Sequence, residues 1–113
     1  MTARVLLVDD HAGFRRAARA LLAAAGWEVV AEAATAAEAL ELHRALHSDV
    51  VLLDVALPDG NGFDLAASFV GARVVLVSSR DWSDVPARTR AAGACGFLPK
   101  EALSGPALAE LVG

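Results

Sequence analysis

Short, continuous apolar runs alternate with alanine-rich stretches of helical period about five times along the chain. Residues 4–8 are β-branched and leucine-rich with no alternation of polar positions, the pattern of a strand buried on both faces. Phe14, Ala17, Ala18, Leu21, Leu22 and Ala25 then recur at the spacing of one helix face, with Arg15, Arg16 and Arg19 on the other and Gly26 placed to end the helix. Residues 28–32 predict a second, shorter strand nearer an edge. Thr35 and Glu38 form a capping-box pair opening a helix to about Leu46. Residues 49–55 are the most apolar stretch and predict the central strand. A proline- and glycine-rich turn follows at residues 57–62, then a short helix over 63–69 and a fourth strand over 73–78. Ser83 is placed to cap a helix to about Ala92, with Pro86 tolerable only in its first turn. Gly93 ends it, residues 96–98 form a last strand, and residues 104–112 a last helix.

Alternation of this kind implies parallel strands joined by right-handed crossovers, with helices on both sheet faces. The predicted fold is a single doubly wound, five-stranded α/β domain over residues 1–113. Its 113 residues suit one core that needs no disulfide, and 56% hydrophobic against 21% charged residues argues against disorder. Much of the apolar count is alanine. The strongest apolar runs, Val5 to Val8 and Val50 to Leu53, are far too short to span a bilayer. Asp9 and Asp10 directly follow the first run, which excludes a secretory signal there. The lone Cys95 suits a reducing cytoplasm. A net charge of −4, with Lys100 the one lysine, argues against direct nucleic-acid binding.

Open α/β sheets place their sites at the carboxyl ends of the strands. Here those ends carry Asp9 and Asp10, then Asp54, then Ser78 and Ser79, with Pro99 and Lys100 after the last strand. Gathered at one edge, three carboxylates repel each other and call for a cation. A hard divalent ion with oxygen ligands answers that need and can bridge to a phosphoryl oxygen. A carboxylate beside it can act as a nucleophile and form an aspartyl-phosphate.

Four stretches together resemble the receiver domain of bacterial two-component response regulators, closest in look to the NarL/LuxR type. They are Val8-Asp9-Asp10, Leu53-Asp54 through Gly62, Val77-Ser78-Ser79, and Gly96-Phe97-Leu98-Pro99-Lys100. The resemblance covers essentially the whole chain and implies a flavodoxin-like sheet of order 2-1-3-4-5. It also implies that Asp54 is the phosphoacceptor, with Mg²⁺ or Mn²⁺ held by Asp9, Asp10, Asp54 and the backbone carbonyl of Ala56. Ser78 matches the switch hydroxyl, Lys100 the lysine that pairs with the phosphoryl group, and Phe97 the switch aromatic. Ala56 and Arg80 match positions that modulate phosphoryl lifetime, and His11 is placed to tune the pocket.

The implied partners are a histidine kinase or phosphotransfer protein and a downstream protein, engaged through the fourth helix, last strand and last helix. Self-association through the last-helix face on phosphorylation is a further expectation. No membrane contact is expected. Phe97 stands where tyrosine is frequent, Pro99 precedes the lysine, and residues 62–73 are several fewer than usual, which predicts a stunted third helix. The output stays open between a stand-alone receiver, a relay, and the first domain of a longer DNA-binding regulator. The lack of a basic tail favours the first, and a degenerate, phosphorylation-independent binding module is the alternative. His43 and His47 lie four apart on a helix, but Arg44 stands where a zinc protease would carry glutamate. Trp82 is a candidate partner contact or lid.

Overall fold

The computed structural model describes residues 3–79 and 92–113. Arg80, Trp82 and the predicted fourth helix with Ser83 and Pro86 lie outside the described residues. In chain order the elements are β1 (Arg4–Val8), α1 (Ala12–Ala24), β2 (Glu28–Ala33), α2 (Ala36–Leu46) and β3 (Val50–Asp54). A two-stranded ribbon of β4 (Ala56–Leu57) and β5 (Gly60–Asn61) follows, then α3 (Gly62–Leu65) running into a 3-10 turn, Ala66–Ser68. β6 (Arg73–Ser78), β7 (Gly96–Pro99), a 3-10 turn at Lys100–Ala102 and a last helix, Gly105–Val112, complete it.

The main sheet runs β2-β1-β3-β6-β7 with every pair parallel. With β6 and β7 as its fourth and fifth strands, this is the expected 2-1-3-4-5 order. β3 is central and β2 an edge, as their apolar content predicts. Strand side chains point alternately to the two faces and divide the core between them. Leu6, Val8, Val51, Leu53, Val74 and Leu76 pack with Ala39 of α2 and Phe63 of α3. Val5, Leu7, Val50, Leu52, Val75 and Val77 pack with Ala18 and Leu22 of α1 and Leu108 of the last helix. Each fully buried Val or Leu contributes roughly 1.5–3 kcal/mol, so burial fixes the strand ends firmly.

The structure refines several local expectations. The buried stripe of α1 is narrower than its periodicity implies: Ala18 and Leu22 are buried, while Ala17, Leu21 and Ala25 are exposed. Arg15 does not join Arg16 on the solvated face but turns inward, because acceptors from β1 and β2 lie beneath it. The turn at residues 57–62 contains the β4–β5 ribbon, and α3 is four residues long, short as predicted. His43 is buried with both ring nitrogens engaged, Nδ1 2.7 Å from Ser48 Oγ and Nε2 2.8 Å from the Val70 carbonyl, which leaves neither for a metal. His47 takes a left-handed conformation at the end of α2.

The capping box forms in a shifted version. Thr35 Oγ1 accepts from the Glu38 N–H, while Glu38 Oε1 accepts from Ala34 rather than from Thr35. Asp59, reaching from the ribbon turn, accepts from the next two free amides of α2, Ala36 at 2.8 Å and Ala37 at 3.1 Å. Those bonds hold the Asp59 pKa below the usual carboxylate range. The loop after β3 is thereby tied to a helix two elements earlier in the chain.

Candidate functional site

An open cleft of about 490 Å³ lies at the carboxyl edge of the sheet, lined among others by Asp10, His11, Asp54, Ala56, Ser78 and Lys100. Strand register sets its floor. β1 and β3 pair with Val8 opposite Leu53, so the residues following them emerge side by side. Asp9 is 1% exposed and Asp54 4%. Asp9, Asp10, His11 and Asp54 each present one ligand atom, all within 4.8 Å of one another.

Lys100 reaches into this cluster from the turn after β7. Its Nζ lies 2.5 Å from Asp9 Oδ2 and 3.3 Å from Asp54 Oδ2. It also sits over the Phe14 ring, 4.7 Å from the centroid, so α1 helps hold the ammonium in place. Burial alone would pull the Lys100 pKa down. The close contact with the Asp9 carboxylate and the charges of Asp54 and Asp9 outweigh burial and raise it. Asp54 is pushed up as well, first by burial and then by the Asp9 charge, against the Ala56 N–H (3.2 Å from Oδ1) and Lys100. An ion pair normally lowers its acid, but here the ammonium is shared and lies closer to Asp9. Asp54 is left undercompensated.

His11 closes the mouth of the cluster. Its backbone N–H donates to Asp9 Oδ1 at 2.8 Å, and its ring Nδ1 lies 3.0 Å from Asp9 Oδ1 and 3.2 Å from Asp10 Oδ1. Gly62 packs behind the end of β3: a Cβ there would lie 2.7 Å from the Asp54 carbonyl oxygen and 2.9 Å from Val55 Cα. Its N–H donates to the Val55 carbonyl at 2.7 Å, so the chain returns directly against the end of β3. Only glycine permits that approach.

The predicted residues therefore converge with two exceptions. Ser78 is buried at the end of β6 and lines the cleft. Phe97 does not line it; it lies opposite Leu76 in β7, partly buried against the apolar cluster of the α2 face. Arg80 falls outside the described residues. Sequence reasoning missed Phe14, Arg15, Asp59 and the specific task of Gly62. Only the glycine-rich turn carried any signal, since the partners of the other three follow from the tertiary fold and not from local pattern.

Three carboxylates against one ammonium leave an excess of negative charge in a partly dehydrated cleft. Asp9 Oδ2 is buried, and its ion pair with Lys100 is not aligned as a hydrogen bond. Carboxylate oxygens gathered this closely fit a hard divalent cation such as Mg²⁺ or Mn²⁺.

Comparison with known proteins agrees with this geometry. The response regulator receiver domain family matches residues 5–112. The chain is 32% identical to the chemotaxis protein CheY of Thermotoga maritima over 104 residues, covering 88% of this chain and 87% of that protein. It is 37% identical to the DNA-binding transcriptional activator DevR/DosR of Mycobacterium tuberculosis, covering 96% of this chain but 52% of the activator. Its fold superimposes on the signal receiver domain of NarL from Mycobacterium tuberculosis with a TM-score of 0.87 and 34% identity, covering 98% and 96% of the two chains. The chain thus spans about half the length of the curated transcriptional regulators it matches. Family match, sheet order and acidic edge agree: this chain belongs to the response regulator receiver domains.

Proposed function

We propose that this receiver is a phosphoacceptor switch in which Asp54 takes a phosphoryl group from a histidine kinase or phosphotransfer protein. The observation that carries this reading is the convergence of Asp9, Asp10 and Asp54 beside Lys100 at one sheet edge. An Asp54 carboxylate oxygen attacks the phosphorus of a phosphohistidine. A P–O bond forms, the P–N bond breaks, and the imidazole leaves and regains its proton from solvent.

Asp9, Asp10, Asp54 and the Ala56 carbonyl would hold Mg²⁺ or Mn²⁺. When bound, the ion supplies charge neutralisation for the carboxylates and the phosphoryl oxygens. Lys100 keeps its proton at Nζ and presents positive charge to the transferring group. Ser78 is positioned to donate its hydroxyl to a phosphoryl oxygen. His11 orders the Asp9 carboxylate through its backbone N–H. The raised Asp54 pKa reflects a carboxylate short of compensation, which favours partners that bring positive charge.

The product adds roughly −1.5 to −2 charges at pH 7. It shifts the conformational balance by as much as Ser78 and Lys100 bind it better in one state than in the other. The readout falls on β7 and the last helix, with Phe97 moving as part of it. A downstream protein then binds, or a second copy through the last helix. We place the protein in a reducing cytoplasm; among the described residues no helix is long and apolar enough to cross a membrane.

Incubation with acetyl phosphate and Mg²⁺, followed by intact-mass measurement, tests the reading. One added phosphoryl group, absent with EDTA and absent in Asp54→Asn, is expected. Labelling that survives in Asp54→Asn overturns the assignment, and no labelling of the wild type favours a phosphorylation-independent binding module.

A further inference from the structure

Outside the acidic cluster, one partly buried polar network serves no step described so far, and it ends on the backbone of that cluster. Arg15, in the first turn of α1, is only 18% exposed along its side chain. Its Nη1 donates to the main-chain carbonyl of Asp9 at 2.5 Å, and its Nε donates to Glu32 Oε1 at 3.1 Å. Glu32, on β2, is held at its other oxygen by Arg19, whose Nε lies 2.6 Å from Oε2. The preceding peptide unit is fixed as well, since the Asp9 N–H donates to the Ala33 carbonyl at 3.0 Å.

Both ends of Asp9 are thus tied to groups outside the cleft. A strand end bearing two adjacent carboxylates has a strong tendency to splay, since the charges repel and the following turn is free to rotate. A guanidinium is suited to resist this, because its rigid fork can serve two acceptors in different elements at once. Glu32 orients the fork and β2 anchors Glu32.

We infer that Arg15 is a positioning residue for the divalent-ion site: through the Asp9 carbonyl it holds the Asp9–Asp10 turn in the conformation that converges on Asp54. This rests on the proposed reading of the cleft as a divalent-cation site, and it assigns to α1 and β2 a part in building that site. Groups that orient metal ligands from outside commonly alter metal affinity by about 10–100-fold when removed. The charge of Arg15 works in the opposite direction, because a nearby cation disfavours binding of a second. Position and charge therefore predict effects of opposite sign for the same substitution.

The test is calorimetric titration of the metal-free full chain with MgCl₂, for the wild type, Arg15→Met and Arg15→Lys. Amide NMR spectra of the metal-free proteins provide a readout independent of metal loading. The inference expects Arg15→Met to bind Mg²⁺ about tenfold more weakly despite losing a positive charge. It expects Arg15→Lys, which keeps the charge and loses the fork, to be at least about threefold weaker. Amide shifts in the metal-free variants should change most at Asp9, Asp10 and His11. If Arg15→Met does not fold, Arg15→Lys alone decides. Unchanged or tighter binding in the variants, with a wild type that binds one ion, overturns the inference and leaves the reading of the cleft standing. A wild type that takes up no Mg²⁺ overturns both.

Discussion

Replacing Lys100 by methionine keeps most of the side chain's length and removes its charge. The ammonium lies 2.5 Å from Asp9 Oδ2 and 3.3 Å from Asp54 Oδ2, on a side chain that is 13% exposed. At an effective dielectric near 20, attraction at those separations is about 7 and 5 kcal/mol before desolvation. Desolvation offsets most of that, and taking one partner from a buried ion pair costs about 3–5 kcal/mol net. For a domain of this size the thermal midpoint in EDTA should fall by roughly 10–20 °C. Mg²⁺ should return much of the loss, because a divalent ion binds more tightly where no ammonium competes with it. The midpoint difference between EDTA and saturating Mg²⁺ is then larger in Lys100→Met than in the wild type.

The pH dependence has a definite sign. The Lys100 pKa is raised, since its close contacts with the Asp9 and Asp54 carboxylates and their charges outweigh burial. Its stabilisation is therefore complete below the ordinary lysine value of 10.5 and is lost as pH rises through the higher folded value. The gap between wild type and variant should hold through neutral pH, close in strong alkali, and narrow in acid as Asp54 takes up its proton. Melting curves followed by circular dichroism measure all of this. Equal midpoints in EDTA, or a gap indifferent to Mg²⁺, would refute the placement of Lys100 as the cation that balances the cluster.

Other substitutions address the supports of the site. Gly62→Ala forces a Cβ against the backbone of Asp54 and Val55, so urea denaturation should show a loss of about 1–3 kcal/mol, with amide shifts centred on residues 54–56. Asp54→Asn should raise the metal-free midpoint at neutral pH, because burial and then the Asp9 charge make the ionised Asp54 unfavourable. That gain should fade as pH falls toward 3.8, where the unfolded carboxylate is itself half protonated. Glu32 is held below the usual carboxylate range, first by its bond to Arg19. Its contribution is present above pH 4.5 and is lost as pH falls through the folded value. Glu32→Gln should thus lower the unfolding free energy measured in urea by about 1 kcal/mol or less at neutral pH and by nothing in strong acid, since the pair is partly solvated.

The fold was legible because each strand announces itself locally. Runs such as Val50 to Leu53 have no polar interruption, and a parallel strand buried on both faces needs none. The acidic pair, Asp54 and Lys100 were legible because each directly follows such a run. Contacts that close large loops were not. Arg15 was placed among solvated arginines, since nothing nearby in sequence reveals that the Asp9 carbonyl and Glu32 lie beneath it. Asp59 looked like a turn former, and its bonds to the amides of α2 cross more than twenty positions. Phe97 stands in the last strand as the sequence placed it, while its packing on the α2 face is set by β7 register rather than by its chain neighbours.

The central claim is that Asp54 is the side chain which accepts phosphate. Borohydride reduction of the acetyl phosphate-treated protein, with peptide mass mapping of the trapped acyl phosphate, tests it most directly. Modification confined to Asp54 and dependent on Mg²⁺ is the predicted result; a trapped acyl phosphate on Asp9 or Asp10, with Asp54 unmodified, would contradict the account.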